Sequence, residues 1–202
     1  MKLYYMSAAC SQASNIALRD AGLAFELVKV DRHTHKTADG LDFSELNPKG
    51  YVPALRLDSG EVLTENVAVL QYIADRNPGA KLAPVPGTLE RYRLMEWLSF
   101  INSELHKGFT PLFMKDAPQD MKEYVRGRLT HRIDYLEQAM AGRSFLMGEQ
   151  YTVADPYLFT VLSWAGHANI DLAHWPQLSR YEQRMRERPN VQAALKAEGL
   201  VK

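Results

Sequence analysis

The sequence predicts an α/β domain followed by an all-helical one, and three observations carry that prediction. Short apolar runs alternate with helical patterns up to about residue 75. A stretch rich in proline and glycine, "NPGAKLAPVPG" from Asn77 to Gly87, then interrupts the pattern. Beyond it, apolar residues recur at steps of three and four, the spacing of helix faces.

Each element has its own signal. "KLYYM" reads as a short apolar strand. Ser11 to Asp20 carries Ile16, Ala17 and Leu18 on a helical pattern behind a Ser/Asn-rich start, and Gly22 closes it. "FELVKV" (Phe25 to Val30) alternates as a second strand. A polar segment, "DRHTHKTADGLDFSELNPKG", has room for a loop or a short helix. "ALRL" and "EVLT", joined by "DSG", form a hairpin signal. "ENVAVLQYIADR" predicts a helix with Val67, Leu70 and Ile73 on one face. The order β-α-β, then β-β-α, is that of a thioredoxin-like sheet flanked by helices, spanning residues 1–77. Residues 78–87 form the linker and 88–202 the all-helical domain. There, Tyr92, Met95, Leu98 and Ile101 make one stripe, and Tyr124, Val125, Leu129, Ile133, Leu136 and Met140 another. "TVAD" (Thr152 to Asp155) is close to a capping box, and Pro156 suits the first turn that follows. Two shorter helices are expected at Leu178–Arg186 and Val191–Glu198.

Composition narrows the function classes. Hydrophobic residues make up 46% and charged residues 24%, as in an ordinary globular protein. Lys+Arg and Asp+Glu both total 24, so the formal charge is zero. Neither half holds a basic footprint for nucleic acid or an anionic membrane. A single cysteine cannot form an internal disulfide, "LYYM" is too short for a signal-peptide core, and no apolar run is long enough to span a bilayer. The expected location is the cytoplasm. His33 and His35 form an H-x-H in a polar loop, and no other His/Cys pair supports a metal.

The cysteine, Cys10, stands where the first strand turns into the first helix. Backbone N–H groups and the helix dipole favour an anion there. Such a setting lowers a thiol pKa from about 8.5 into the range of roughly 3.5–7.5. The opposing reading is a small buried hydrophobe. With Ser11, Gln12 and Ala13 following, there is no C-x-x-C, so any redox cycle needs an external thiol. "GYVPAL" places Val52-Pro53 before the third strand. A cis bond there would turn the Val52 backbone outward, toward an extended peptide, whereas a trans bond would make an ordinary turn. "LTEN" (Leu63 to Asn66) is a good helix start whose N–H groups suit a carboxylate, while Glu65 suits an ammonium.

A thiol at a β-α turn, V-P before a strand, an acidic residue entering the next helix and an all-helical second domain together resemble the cytosolic glutathione S-transferases. The bacterial beta class is most similar, through Cys10 in "AACS", "NPKGYVPAL", "SELHKGF", "TVADPYLF" and "RPNVQAALKAEGL". The resemblance implies that the sulfur of glutathione lies beside Cys10, with His106 near it. It implies that Val52, next to a cis Pro53, pairs with the cysteinyl unit, flanked by Ala9 and Tyr51, and that Glu65 and Asn66 hold the γ-glutamyl end. Lys107 joins the same site, and Ser103 enters from the partner of a homodimer. His35 stands where the class usually has lysine for the glycine carboxylate, and Lys36 adjoins it. Ser7-Ala8, Asn66 and Ser99 are further departures from the class.

The implied activity is conjugation of the glutathione thiolate to a small hydrophobic electrophile, with glutathione as co-substrate and no metal. Phe109, Phe113, Met114, Trp164 and His167 are candidates for the apolar pocket, against the alternative of plain helix packing. Two other readings stand beside it. One is a thiol-disulfide oxidoreductase or reductive dehalogenase that uses Cys10 through a mixed disulfide. The other is a non-catalytic ligand-binding relative.

Overall fold

Successive side chains of a strand point to opposite faces, and the first strand of this protein buries both. In the computed structural model, which describes residues 1–201, β1 (Lys2–Tyr5) has Leu3 and Tyr4 in the core. Tyr4 joins Val30, Phe43, Val52 and Ala54 in one apolar cluster, its ring 5.9 Å from that of Phe43. Leu3 lies on the other face and is level with Leu27 and Leu55 of the neighbouring strands.

Those strands are β2 (Glu26–Lys29), parallel to β1, and β3 (Ala54–Arg56), antiparallel to it. β4 (Val62–Thr64) pairs antiparallel with β3, giving the sheet order β2-β1-β3-β4. Parallel neighbours need a crossover, which α1 (Ser11–Asp20) supplies. The "DSG" signal becomes the β3–β4 turn, closed by the Leu57 N–H donating to the Glu61 carbonyl at 2.8 Å. The polar segment contains one short helix, α2 (Phe43–Leu46), capped by the Asp42 carboxylate accepting from the Ser44 N–H at 2.9 Å. α3 (Asn66–Arg76) buries Asn66, Val69, Leu70, Ile73 and Ala74, while Val67 is only half-buried. The buried face is thus rotated slightly from the expected one.

The compact units divide the chain differently from the sequence expectation. The first comprises Met1–Ala83 and returns from Glu187 onward; the second is Pro84–Arg186. The boundary near residue 83 falls inside the predicted linker, but the end of the chain does not belong with the helical domain as 88–202 would have it. Helix α9, at Pro189–Ala197, packs on α1 of the first unit. Asn190 Nδ2 there donates to Asp20 at the end of α1, at 2.8 Å.

The second unit begins with α4 (Leu89–Phe100) and continues through a π-helical stretch, Ile101–His106, into α5 (Lys107–Phe113). Leu94, Leu98, Ile101 and Leu105 are fully buried. Tyr92 and Met95, assigned to this stripe from the sequence, are instead exposed, because the true apolar row runs in steps of four, three and four from Leu94. α6 (Gln119–Ala139) buries Leu129, Ile133 and Leu136 and leaves Tyr124 exposed. α7 (Ala154–Leu162) is buried on every side, as its nearly all-apolar sequence requires. Its start is fixed by Asp155, whose carboxylate accepts from the Thr152 N–H at 2.8 Å and from the Leu146 N–H at 3.0 Å. The box is one-sided: the Thr152 hydroxyl donates to Asp155 rather than capping a backbone N–H. α8 (Pro176–Arg186) is capped through space, with Glu137 accepting from the N–H groups of Gln177 and Leu178.

Candidate active site

Cys10 is the N-cap residue of α1 and is partly exposed. Its thiol donates to the Val52 carbonyl at 3.2 Å. The Val52–Pro53 bond is cis. Sequence positions 42 residues apart therefore meet at one point, a thiol against a peptide carbonyl. The helix start is partly closed on itself: the Gln12 N–H donates to the Ala9 carbonyl and the Ala13 N–H to that of Cys10.

Asn66, expected to touch a ligand, has both ends of its amide used within the unit. Its Nδ2 donates to the Cys10 carbonyl at 3.2 Å, and its Oδ1 accepts from the Ser14 hydroxyl at 2.7 Å. The residue is buried, so it ties α3 to the loop that carries the thiol. Glu65, next to it, is exposed and has a positive φ of 66°. Its carboxylate accepts from Lys49 Nζ at 2.6 Å and from the Tyr51 hydroxyl at 2.8 Å. Those hydrogen bonds raise the pKa of both donors. His35 and Lys36 lie in an exposed turn. There the Asp31 carboxylate accepts from the N–H groups of His33 and Thr34, which holds its pKa below the usual value.

The other candidates lie on the second unit. His106 closes the π-helical stretch; its Nδ1 is 2.8 Å from the Tyr157 hydroxyl, which itself donates to Asn102 Oδ1 at 3.0 Å. Burial, with a smaller contribution from the Lys107 cation, lowers the His106 pKa to about 4. Rings gather around it: Trp164 edge-on at 5.0 Å, then Phe109 and Phe113 at 5.9 and 6.2 Å from Trp164. Phe109 is fully buried, whereas Phe113 is partly exposed. Met114 and His167 are exposed and outside this ring cluster. Ser103 and Lys107 are exposed on the same helical run, the Ser103 hydroxyl donating to the Ser99 carbonyl at 3.0 Å.

Residues 8–76 match the family described as glutathione S-transferase, N-terminal domain, and residues 100–189 the one described as glutathione S-transferase, C-terminal domain. Glutathione S-transferase GstA of Escherichia coli O157:H7 is 46% identical over 200 residues, covering 99% of this chain and all of that protein. The chain belongs to the glutathione S-transferase family. Solved structures of the family place it further. A sphingomonad glutathione S-transferase complexed with glutathione superposes with a TM-score of 0.96 at 48% identity, covering both chains completely. The bacterial beta class glutathione S-transferase of Sphingomonas chungbukensis does so with the same TM-score at 49% identity, again over both full chains.

Within this glutathione S-transferase fold, four residues matter that the sequence reading did not single out. Lys49 stands in "NPKG", but its pairing with Glu65 needs the β3–β4 hairpin to bring them together. Asn102 and Tyr157 are 55 residues apart and have no local signature. Glu198 is buried, and its side chain accepts from the Ala8 N–H at 3.3 Å and from Asn15 Nδ2 at 3.0 Å. The Ser7 hydroxyl donates to its backbone carbonyl at 3.0 Å, so the chain end is fastened to the loop just before Cys10.

Proposed function

We propose that this glutathione S-transferase conjugates the glutathione thiolate to small hydrophobic electrophiles. The sulfur lone pair forms the new bond to carbon, the leaving group departs with the electrons of the broken bond, and the thiol proton is released. The observation that carries this reading is the meeting of Cys10 Sγ with the Val52 carbonyl, at the start of α1. That point combines a strand-like peptide edge for a cysteinyl unit with a helix terminus that favours a thiolate. Glu65 already accepts one alkylammonium, that of Lys49, which supports its assignment to the γ-glutamyl ammonium. Exposed His35 and Lys36 are assigned to the glycine carboxylate. Phe113 and its aromatic neighbours supply apolar surface for the electrophile. The protein acts as a homodimer in the cytoplasm, where its single thiol stays reducible.

A second reading is favoured by one observation, a partly exposed cysteine rather than a hydroxyl at this point. Cys10 thiolate attacks oxidised glutathione, forming a mixed disulfide and releasing one reduced glutathione, and a second thiol later regenerates it. One experiment tests both readings. Intact mass under non-reducing conditions is followed by glutathione titration and turnover of an activated aryl halide, for wild type and Cys10→Ser. Saturable binding and conjugation in both proteins support the transferase; a reductant-sensitive glutathione adduct lost in the variant supports the covalent reading. Absence of binding and turnover in both would overturn the two together.

A further inference from the structure

The ion pair between Lys49 and Glu65 is a template for a ligand end that carries both charges. Lys49 Nζ lies 2.6 Å from Glu65 Oε1 and donates to the Thr64 hydroxyl at 3.1 Å. The Tyr51 hydroxyl donates to the same Oε1 at 2.8 Å. Two donors from one loop thus converge on one carboxylate oxygen. The loop is held from within: the buried Asn47 side chain accepts from the Lys49 N–H at 3.2 Å and donates to the Tyr51 carbonyl at 2.8 Å. Gly50, between the two donors, has a φ of 74°, a turn conformation open to glycine. Val52, the residue after Tyr51, accepts from the Cys10 thiol. The peptide edge beside the thiol and the cation beside Glu65 are therefore set by one turn. Glu65 holds its own positive φ of 66°, which a non-glycine residue keeps only where its surroundings enforce it.

Both partners of the ion pair are about half exposed, and such pairs contribute little to folding. The pair is therefore easily opened by a ligand that gives each charge a new partner. An ammonium alone does not do so. Brought to Glu65, it either sets two cations on one carboxylate or leaves the Lys49 charge unmatched. An α-amino acid end supplies both partners, its ammonium to Glu65 and its α-carboxylate to Lys49, so every charge keeps an opposite neighbour. We infer that Lys49 is a specificity residue that holds the α-carboxylate of the γ-glutamyl end and rejects ligands bringing an ammonium to Glu65 without one. This role rests on the assignment of Glu65 to the γ-glutamyl ammonium. The flexible four-carbon stem lets Lys49 Nζ turn from Glu65 to the ligand, while the Tyr51 hydroxyl keeps the carboxylate in place.

The test compares two ligands by calorimetry on the intact protein near neutral pH. One is S-methylglutathione. The other is the same tripeptide with γ-aminobutanoyl in place of γ-glutamyl, which keeps the ammonium and lacks the α-carboxylate. In Lys49→Met, which removes the charge and keeps an unbranched stem, S-methylglutathione should bind roughly three- to tenfold more weakly. The γ-aminobutanoyl analogue should bind this variant at least as tightly as it binds wild type, because its ammonium no longer competes with Lys49. Lys49→Arg retains a cation and should keep the wild-type preference for S-methylglutathione. Glu65→Gln controls for the site and should weaken both ligands. Equal weakening of both ligands in Lys49→Met means a merely structural lysine and overturns the inference. Unchanged affinities in Lys49→Met, with Glu65→Gln impaired, overturn it as well, and both results leave the Glu65 assignment standing. Full affinity of Glu65→Gln for S-methylglutathione refutes that assignment and the role of Lys49 with it.

Discussion

Glu198 gives a prediction whose size follows from the structure. Its carboxyl is buried, and burial raises its pKa from the ordinary 4.5 to about 7 against the pull of the Asn15 and Ala8 hydrogen bonds. Below pH 4.5 the group is protonated in both folded and unfolded chains, and folding carries no electrostatic cost there. As pH rises from 4.5 to 7 the unfolded chain releases its proton while the folded protein keeps it. Stability is therefore lost across that interval and is flat above it. At about 1.4 kcal/mol for each pH unit, the full loss is about 3 kcal/mol, most of which falls between pH 5 and 8. Glu198→Gln removes the ionisation and gives up about 1 kcal/mol of hydrogen bonding at every pH. The variant should be about as stable as wild type at pH 5 and more stable by about 2 kcal/mol at pH 8. Urea unfolding of both proteins at pH 5, 6, 7 and 8, at one protein concentration, measures the difference. A wild-type-minus-variant difference that stays constant across this range would refute the reasoning.

Two other outcomes are expected. Asp155→Ala leaves the buried N–H groups of Leu146 and Thr152 without their acceptor. At about 1–3 kcal/mol for each, unfolding free energy should fall by roughly 2–6 kcal/mol, and an unchanged denaturant midpoint would contradict the capping role. Asn66→Ala strips partners from the Cys10 carbonyl and the Ser14 hydroxyl. It should weaken glutathione binding by calorimetry and lower the melting temperature by a few degrees, about 2–4 °C for each kcal/mol lost.

The first unit was legible in the sequence because its signals are local. The hairpin, the helix after "ENV" and the proline before the third strand each announce themselves within a few residues, although the isomer of the Val52–Pro53 bond does not. The α4 stripe was misplaced at Tyr92 and Met95 because apolar residues occur on more than one helix face there. Only packing selects the row from Leu94 to Leu105. Of the candidate site, the place of Cys10 at a strand–helix turn was legible in the sequence. Its fastening was not: Asn66 reaches back 56 residues to the Cys10 carbonyl, and Glu198 reaches back 183 and 190 residues to Asn15 and Ala8. "KAEGL" reads as a polar chain end, and nothing near it reveals a buried carboxylate. The hydrogen bond between His106 and Tyr157 was hidden for the same reason, since Tyr157 looks like any core aromatic of α7.

The return of the chain from Glu187 to the first unit has a consequence for how the protein is made. During synthesis the carboxylate that fastens the thiol loop is added more than 180 residues after the loop itself. Everything from Pro84 to Arg186, a compact unit of its own, lies between them. The loop around Cys10 thus acquires its full set of partners only after the segment that starts at Glu187 has been made. The first unit can therefore be completed only when the last-made helix has come back to α1.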